Sequence, residues 1–355
     1  MRSPLNAELH RAATPVRIGI VGLGVMGEQY ARIYDAHPHA TVTALCGRKS
    51  ERVKLLADKC GVEHRYTDTA DMLADAPIDA VVVATPDFAH YEHVRAALEA
   101  GKHVLCEKPF TTDLSEADDL LLRSRSRSDL RLQVAFNHRW LASYHHGFAA
   151  IRRGAIGRPL AGYARKNDTI HVPTEMLSWA AQTTPMHFLG AHDIDLMRWF
   201  FGSEPTEVYA LGTRGVLAAR GIDTWDLVQA QVKFDSGAFA TIESAWIYPN
   251  AFPSLVDSFV EVIGSDGHLH FDRKRESIEM STPDSFTYPK TFLMSEVFGR
   301  MRGAFVECLS DFVESIRSGA APQVGALDGR QVTAVLDAVS RSLASGCVER
   351  VRPAP

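Results

Sequence analysis

No Cys-x-x-Cys pair occurs in this chain, and its five cysteines (46, 60, 106, 308 and 347) are an odd number. Free thiols in a reducing, cytoplasmic compartment are the simplest reading. No apolar run approaches the ~18 residues of a membrane span. Residues 1–15, with His10 and Arg11, lack the apolar stretch of a signal peptide. There is no excess of positive charge: the formal net charge is -5. Nucleic acid and bilayer surfaces are therefore not expected as partners. Repeats, low-complexity tracts and a metal-ligand pattern are absent as well. What remains is an ordinary globular composition, 46% hydrophobic and 23% charged, with a length that suggests about two domains.

The first half alternates strand and helix patterns. Val16-Arg17-Ile18-Gly19-Ile20-Val21 reads as a buried strand. Gly22-Leu23-Gly24-Val25-Met26-Gly27 follows at once, and Glu28 to Asp35 reads as a helix. This is Gly-x-Gly-x-x-Gly in its strand–turn–helix setting. The first glycine permits the turn, the second lets a pyrophosphate approach, and the third lets helix pack on strand. The helix N-terminus then offers free N–H groups to phosphate. Further strands are expected at Ala40–Cys46, Ile78–Ala84, His103–Cys106 and Leu130–Phe136. Helices are expected at Ser50–Cys60, Asp68–Ala74, His90–Ala100 and Asp113–Ser124. Gly61 and Gly101 serve as stops. Such spacing means βαβ units and a doubly wound parallel sheet. Arg123, Arg125, Arg127 and Arg131, interleaved with serines and Asp129, read as a solvated helix end.

One expected residue is missing. A dinucleotide site places a carboxylate about 20 positions past its glycines, on the ribose 2′-OH. Here that place holds Gly47, followed by Arg48, Lys49 and Ser50. Two cations and a hydroxyl suit a 2′-phosphate, so NADP(H) is favoured and NAD(H) remains possible. The plainer alternative is that Arg48 and Lys49 merely open a solvated helix.

The strand His103–Cys106 runs into Glu107-Lys108-Pro109. Pro109 stops the strand, having no N–H to donate. Lys108 thus stands outside the carboxyl end of a strand, where open α/β sheets bind ligands, and a lysine there can hold a hydroxyl proton. With Gly22/Gly24/Gly27, Ala84-Thr85-Pro86, His90 and Ala100-Gly101-Lys102-His103-Val104, this segment resembles the Gfo/Idh/MocA family of nicotinamide-dependent sugar and inositol oxidoreductases. Asn137 with Arg139 resembles the segment closing that family's cofactor domain, and His192–Trp199 its substrate-side helix. The resemblance covers most of residues 16–200. It implies that Thr85, Pro86, His90 and Glu107 line the cofactor, that Lys108 faces the reacting carbon, and that His192 is the base-like histidine.

In the second half, Gly190–Phe200 reads as a helix ended by Gly202, with His192, Asp195, Leu196 and Trp199 on one face. Taken alone, such a histidine is more often a packed core residue. Strand patterns follow at Thr206–Leu211, Leu227–Phe234, Ala238–Trp246, Phe259–Gly264 and Gly267–Phe271. Asp235-Ser236-Gly237 and Ser265-Asp266-Gly267 are hairpin signals. The far face of this sheet is expected to be apolar and to form a homodimer or homotetramer, as the family does. Val297–Arg317 and Asp328–Ser345 read as terminal helices, and Asp272-Arg273-Lys274-Arg275-Glu276 as an exposed turn.

The fold class expected is α/β. Residues 16–138 form a doubly wound Rossmann domain. Residues 139–350 form an α+β domain with a large, mainly antiparallel open sheet, whose terminal helices are able to pack back on the first domain. The activity expected is hydride transfer between NAD(P) and a secondary alcohol or ketone of a polyol, with Lys108 and His192 handling the proton. A non-catalytic dinucleotide-binding regulator and an NAD-dependent glycosidase are the alternatives. Many family members carry an aspartate four residues before the histidine, and here that position is Phe188. Phe188 cannot orient an imidazole. Either the protein is inactive, or Lys108 and His192 suffice, or a neighbour such as His187 or Asp195 takes the role. An active enzyme with a more apolar pocket is the expectation.

Overall fold

The computed structural model describes residues 14–274 and 278–355, so residues 1–13 and the Arg275-Glu276 end of the charge run lie outside the described residues. The first half follows the order β1 (Val16–Val21), α1 (Val25–Asp35), β2 (Ala40–Cys46), α2 (Ser50–Cys60), β3 (His64–Tyr66), α3 (Thr69–Asp75), β4 (Ala80–Val83), α4 (His90–Glu99), β5 (His103–Cys106), α5 (Leu114–Ser126) and β6 (Leu132–Val134). Its six strands form one parallel sheet in the order β3-β2-β1-β4-β5-β6. Val81, Val82, Val83, Val104 and Leu105 are fully buried, as strands covered on both faces must be. Asp68 and Asp113 cap α3 and α5 by accepting backbone N–H bonds. Gly61 closes α2 in the left-handed conformation, φ 66°. Strand β3 escapes sequence reading because it is a three-residue polar edge strand. The strand order reverses between β1 and β4, which opens a crevice at their carboxyl ends.

The remaining elements are α6 (Ala142–Arg152), β7 (Pro159–Thr169), α7 (Ala191–Phe201), β8 (Pro205–Thr213), β9 (Leu227–Phe234), β10 (Phe239–Tyr248), β11 (Val256–Gly264), β12 (His268–Asp272), the short pairs β13 (Met280–Ser281) with β14 (Phe286–Thr287) and β15 (Ser295–Val297) with β16 (Arg300–Arg302), then α8 (Ala304–Ser318), α9 (Ala326–Ser345) and β17 (Glu349–Arg350). Seven strands form a second sheet, β12-β11-β7-β10-β9-β8-β17. All of its pairs are antiparallel except β7 with β10. Central strand β7 was not foreseen. Its end reads Lys-Asn-Asp-Thr, yet Lys166 to Thr169 are all buried. Inward polar residues erase the hydrophobic alternation by which strands are found.

Three expectations need correction. Val297 and its neighbours form the β15–β16 hairpin, so the helix begins only at Ala304, after Gly303 at φ 115°. The charge run is no exposed turn throughout: Arg273 is buried, its guanidinium lying over the rings of Tyr144 and Phe292. The far face of the large sheet is mixed rather than uniformly apolar, with Leu211, Phe239 and Ile263 exposed on it. It carries Gln229, Gln231, Thr241 and Glu243, with Gln231 donating to Thr241 (2.7 Å) and Gln229 to Glu243 (2.7 Å). Its inner face holds Val228, Ala230, Val232, Ala240 and Ile242, and that burial is the one the core requires.

Helix α8 lies on the first sheet. Cys308, Leu309, Phe312 and Val313 of α8 share a core with Ile18, Ile20, Tyr30 and Tyr34. Helix α9 packs between α5, α7 and β8. The arginines near the end of α5 are solvated, Arg123 pairing with Asp119 and Glu99, and Arg127 with Asp129. Among the described residues, no helix is long and apolar enough to cross a membrane.

Candidate active site

The crevice is built from the loops that follow β1, β2, β4, β5 and β6. Gly22 has φ 92°, and a Cβ there would lie 2.6 Å from the Ala84 backbone; a Cβ at Gly27 would lie 1.9 Å from the Gly22 carbonyl. These two glycines let loop, strand and helix touch. Gly24 differs: a Cβ there would meet nothing within 4 Å. The loop is therefore tight where it packs and open where a pyrophosphate would approach. Gly24 is the N-cap of α1, so the N–H groups of Val25 and Met26 stand at a free helix N-terminus. The helix begins at Val25, three residues before the expected start, which draws Gly27 inside it. Gly47 packs beside Leu23, and Arg48 and Lys49 are exposed just past β2. Arg52 nearby donates to the Leu23 carbonyl (3.2 Å) and to Glu28 (2.6 Å).

Deeper in, His90 ties two loops together. Its Nδ1 faces the Pro109 carbonyl at 2.7 Å and its Nε2 the Thr85 carbonyl at 3.0 Å. Burial lowers its pKa, while the Pro109 carbonyl and the Glu107 charge pull the other way. Glu107 is buried, accepts from the Tyr30 hydroxyl, and accepts from the Lys108 N–H at 3.0 Å. The Lys108–Pro109 peptide is cis. Thr85 Oγ1 and Asn137 Oδ1 are buried without a partner. Unspent polar atoms on the crevice loops, with the open glycine cradle, fit a dinucleotide. Among the described residues, no cluster of His, Cys, Asp and Glu is arranged to hold a metal.

Lys108 reaches across to the second half. Its Nζ donates to the Phe188 carbonyl (2.5 Å) and sits 4.2 Å from the centre of the Phe188 ring. Burial lowers its pKa, and the charges of Glu107, Asp87 and Asp168 oppose that. His192, at the start of α7, stacks on His138 with ring centres 3.9 Å apart. Its Nδ1 is buried without a partner. Burial, then the charges of Lys108, Lys166 and Arg273, hold its pKa well below the usual histidine range. Behind it, Lys166 donates to Asp193 (2.5 Å), and Arg273 lies 3.1 Å from His138 Nε2. Burial lowers Lys166 to about 8. Asp168, also buried, has an unpartnered Oδ1.

Lys108 lies near enough to His192 for its charge to act on the imidazole. Neither neighbour proposed as a stand-in acid or base faces His192. Asp195 is gripped by Arg139 at 2.6 and 2.8 Å, and His187 Nδ1 is 2.8 Å from Thr184 Oγ1. Phe188 occupies a π turn, Met186–Gly190, and its ring joins Trp179 and Trp246 in an aromatic wall. Sequence reading missed His138, Lys166, Asp168, Asp193 and Arg273. The only sequence signal was polar residues inside a strand-length segment, and that signal points away from a strand. Two cavities, about 240 and 300 Å³, lie around Thr184, His187 and Arg214. They are lined by neither Lys108 nor His192, so the crevice chemistry sits elsewhere.

Comparison with known proteins agrees with this architecture. Residues 16–136 match the oxidoreductase family with an NAD-binding Rossmann fold, and residues 148–270 match the GFO/IDH/MocA C-terminal domain. The chain is 28% identical to a myo-inositol 2-dehydrogenase of Thermotoga maritima, over 92% of this chain and 96% of that one. It is 25% identical to a D-apiose dehydrogenase of Paraburkholderia graminis, over 92% and 87%. The crystal structure of a Lactobacillus plantarum myo-inositol 2-dehydrogenase superposes with a TM-score of 0.84 at 25% identity, covering 96% of this chain and 100% of that one. With both halves matched over most of their length, the chain belongs to the Gfo/Idh/MocA family of NAD-binding Rossmann-fold oxidoreductases.

Proposed function

We propose that this oxidoreductase moves a hydride between a nicotinamide cofactor and a secondary alcohol, or its ketone, on a cyclitol, sugar or related polyol. The observation that carries the reading is Lys108: its backbone belongs to the crevice, while its Nζ rests on the substrate-side Phe188 carbonyl. Gly22, Gly24, Val25, Met26 and Gly27 would hold the pyrophosphate. Thr85, Pro86, His90, Glu107 and Asn137 would hold the nicotinamide end. The bound cofactor supplies the hydride donor or acceptor; the protein supplies position and proton transfer. Lys108 and the uncharged His192 would share the hydroxyl proton.

Exposed Arg48 and Lys49, with Gly47 and no carboxylate beside them, favour NADP(H) over NAD(H). The aromatic wall of Trp179, Phe188 and Trp246 favours a substrate with fewer hydroxyls on that side, or an aromatic or deoxy group, with His187 at the same turn. Exposed Leu211, Phe239 and Ile263 on the outer face of the large sheet support a homodimer or homotetramer, and the five free cysteines favour the cytoplasm. The deciding experiment is a panel of inositols, aldoses, sugar acids and deoxy or aryl glycosides with both nicotinamides. Absorbance growth from net cofactor reduction supports the reading. Release of an aglycone without net reduction, or no turnover on any of them, sinks it.

A further inference from the structure

The His192 imidazole makes no hydrogen bond through Nδ1, which is buried without a partner. Phe188, four residues earlier, has no polar side-chain group to offer it. What meets the ring is flat. His138 stacks on it, with centres 3.9 Å apart and planes 20° apart, and Phe136 meets it edge-on at 6.2 Å. His138 is itself buried, in the turn Asn137–Trp140 after β6. Its ring is pinned in turn. Arg273 Nη1 lies 3.1 Å from its Nε2, and Lys166 Nζ lies 3.5 Å from its Nδ1. Lys166 also donates to Asp193, the residue after His192 (2.5 Å). Tyr144 meets the His138 ring edge-on at 6.2 Å.

We propose that His138 is the positioning residue of His192: its ring, anchored by Arg273, holds the His192 imidazole by stacking where a hydrogen-bonding side chain is missing. The inference rests on the oxidoreductase reading above. A guanidinium has donors only, so the His138 ring accepts from Arg273 and is uncharged. The charged neighbours of His192 are Lys108 from the loop after β5, Lys166 of β7 and Arg273 after β12. Asp193, beside it on α7, is taken by Lys166. Three cations favour the uncharged imidazole, the form able to accept a hydroxyl proton. Stacking uses the face of the ring, so it fixes the direction of the imidazole and leaves its edge nitrogens to a substrate hydroxyl.

The other candidate orienters are engaged: Asp195 is bound by Arg139, and His187 by Thr184. At His138 two demands meet in one side chain. His192 needs a flat face, and the buried guanidinium of Arg273 needs an acceptor at the ring edge. Phenylalanine meets the first demand alone, and asparagine the second alone.

The test is steady-state oxidation of the best polyol by the full chain, with wild type, His138→Phe and His138→Asn. It is joined to a pH titration of the His192 ring by NMR on protein carrying isotope-labelled histidine, the signal assigned with His192→Gln. His138→Asn should lower kcat by roughly 10²-fold, the cost of a small misplacement of a reacting group, with cofactor affinity little changed. Its His192 should titrate nearer the ordinary histidine range. His138→Phe should lose roughly tenfold less, because the stack survives, and keep His192 uncharged into mildly acid pH. An active wild type whose His138→Asn variant equals it in kcat, or falls no lower than His138→Phe, overturns the inference. Should either variant fail to fold, a wild-type His192 that titrates in the ordinary histidine range overturns it equally. A wild type inactive on every polyol instead removes the oxidoreductase reading, and this inference with it.

Discussion

Lys108 is held by a carbonyl and a ring from the other half of the molecule, and by its own backbone in the crevice. Lys108→Ala should therefore lower turnover by roughly 10²–10⁴, the usual size of an acid–base contribution. Cofactor affinity, titrated by nicotinamide fluorescence, should change far less. Near-normal turnover would remove Lys108 from the mechanism. Arg48 gives a second prediction at this scale. It is exposed and stands where a 2′-phosphate would lie, so Arg48→Ala should weaken NADP by about 10- to 100-fold, the size of one charged hydrogen bond. NAD binding should barely move. Equal loss for both cofactors would return Arg48 to the status of a solvated helix start. Glycine loop and Glu107-Lys108-Pro109 were both legible in the sequence, since their chemistry lies in neighbouring residues. Asp168 and Arg273 were not, because a polar residue on a strand or turn declares nothing about the direction it faces.

Among the elements, those bounded by a cap or a stop were read closely. Helix α2 and strands β1, β2, β5 and β9 match their expected ends, and α5 starts one residue late because Asp113 is its cap. That cap can be tested. Asp113 accepts from the N–H groups of Ser115 (2.7 Å) and Glu116 (3.2 Å). Asp113→Ala should cost about 0.5–2 kcal/mol in urea unfolding. The hydrogen bond from the Ser115 side chain is the largest influence lowering the Asp113 pKa. A carboxyl lowered on folding contributes stability that is present above its unfolded pKa and lost as pH falls through its folded one. The gap between wild type and Asp113→Ala should therefore shrink in acid. A gap that persists at acid pH would assign the loss to something other than the carboxylate. Helix α8 was overextended because Val297-Phe298-Gly299 has helix-compatible neighbours. The left-handed Phe298 (φ 51°) and Gly299 (φ 73°) make it a hairpin turn instead.

At the scale of the molecule, one ion-pair network joins the segment after β6 to α7 and α9. Arg139 binds Asp195 and Asp328, and Arg198 binds Glu204 and approaches Asp328. The Asp195 side chain is 1% exposed and that of Arg139 12%. Burial pushes the Asp195 carboxyl up, and the Arg139 charge pulls it back. Asp195→Ala would leave a largely buried guanidinium short of a partner, and should cost about 3–5 kcal/mol in chemical denaturation. Activity per folded molecule should be nearly retained, because Asp195 faces Arg139 and not His192. A large loss of kcat in a fully folded variant would put Asp195 back in the site. Light scattering should give two or four times the monomer mass; a monomer at working concentration would end the proposal that the large sheet is an interface.

Local order along the chain was determined by the sequence alone. Strand, glycine loop and helix follow one another in βαβ spacing, and each depends on periodicity, caps and turns within a few residues. The alternation also implied the parallel sheet and its crevice, because right-handed crossovers leave little choice. What surrounds the crevice was decided only by tertiary structure. Strand β7 enters the middle of the second sheet and turns Lys166 and Asp168 inward, Arg273 folds under His138, and α8 returns from the far end of the chain to cover β1 and α1. These placements bury charge, which local propensity disfavours. They stand because the buried groups meet one another at sequence separations no local pattern records: Lys166 with Asp193, and Lys108 with Phe188.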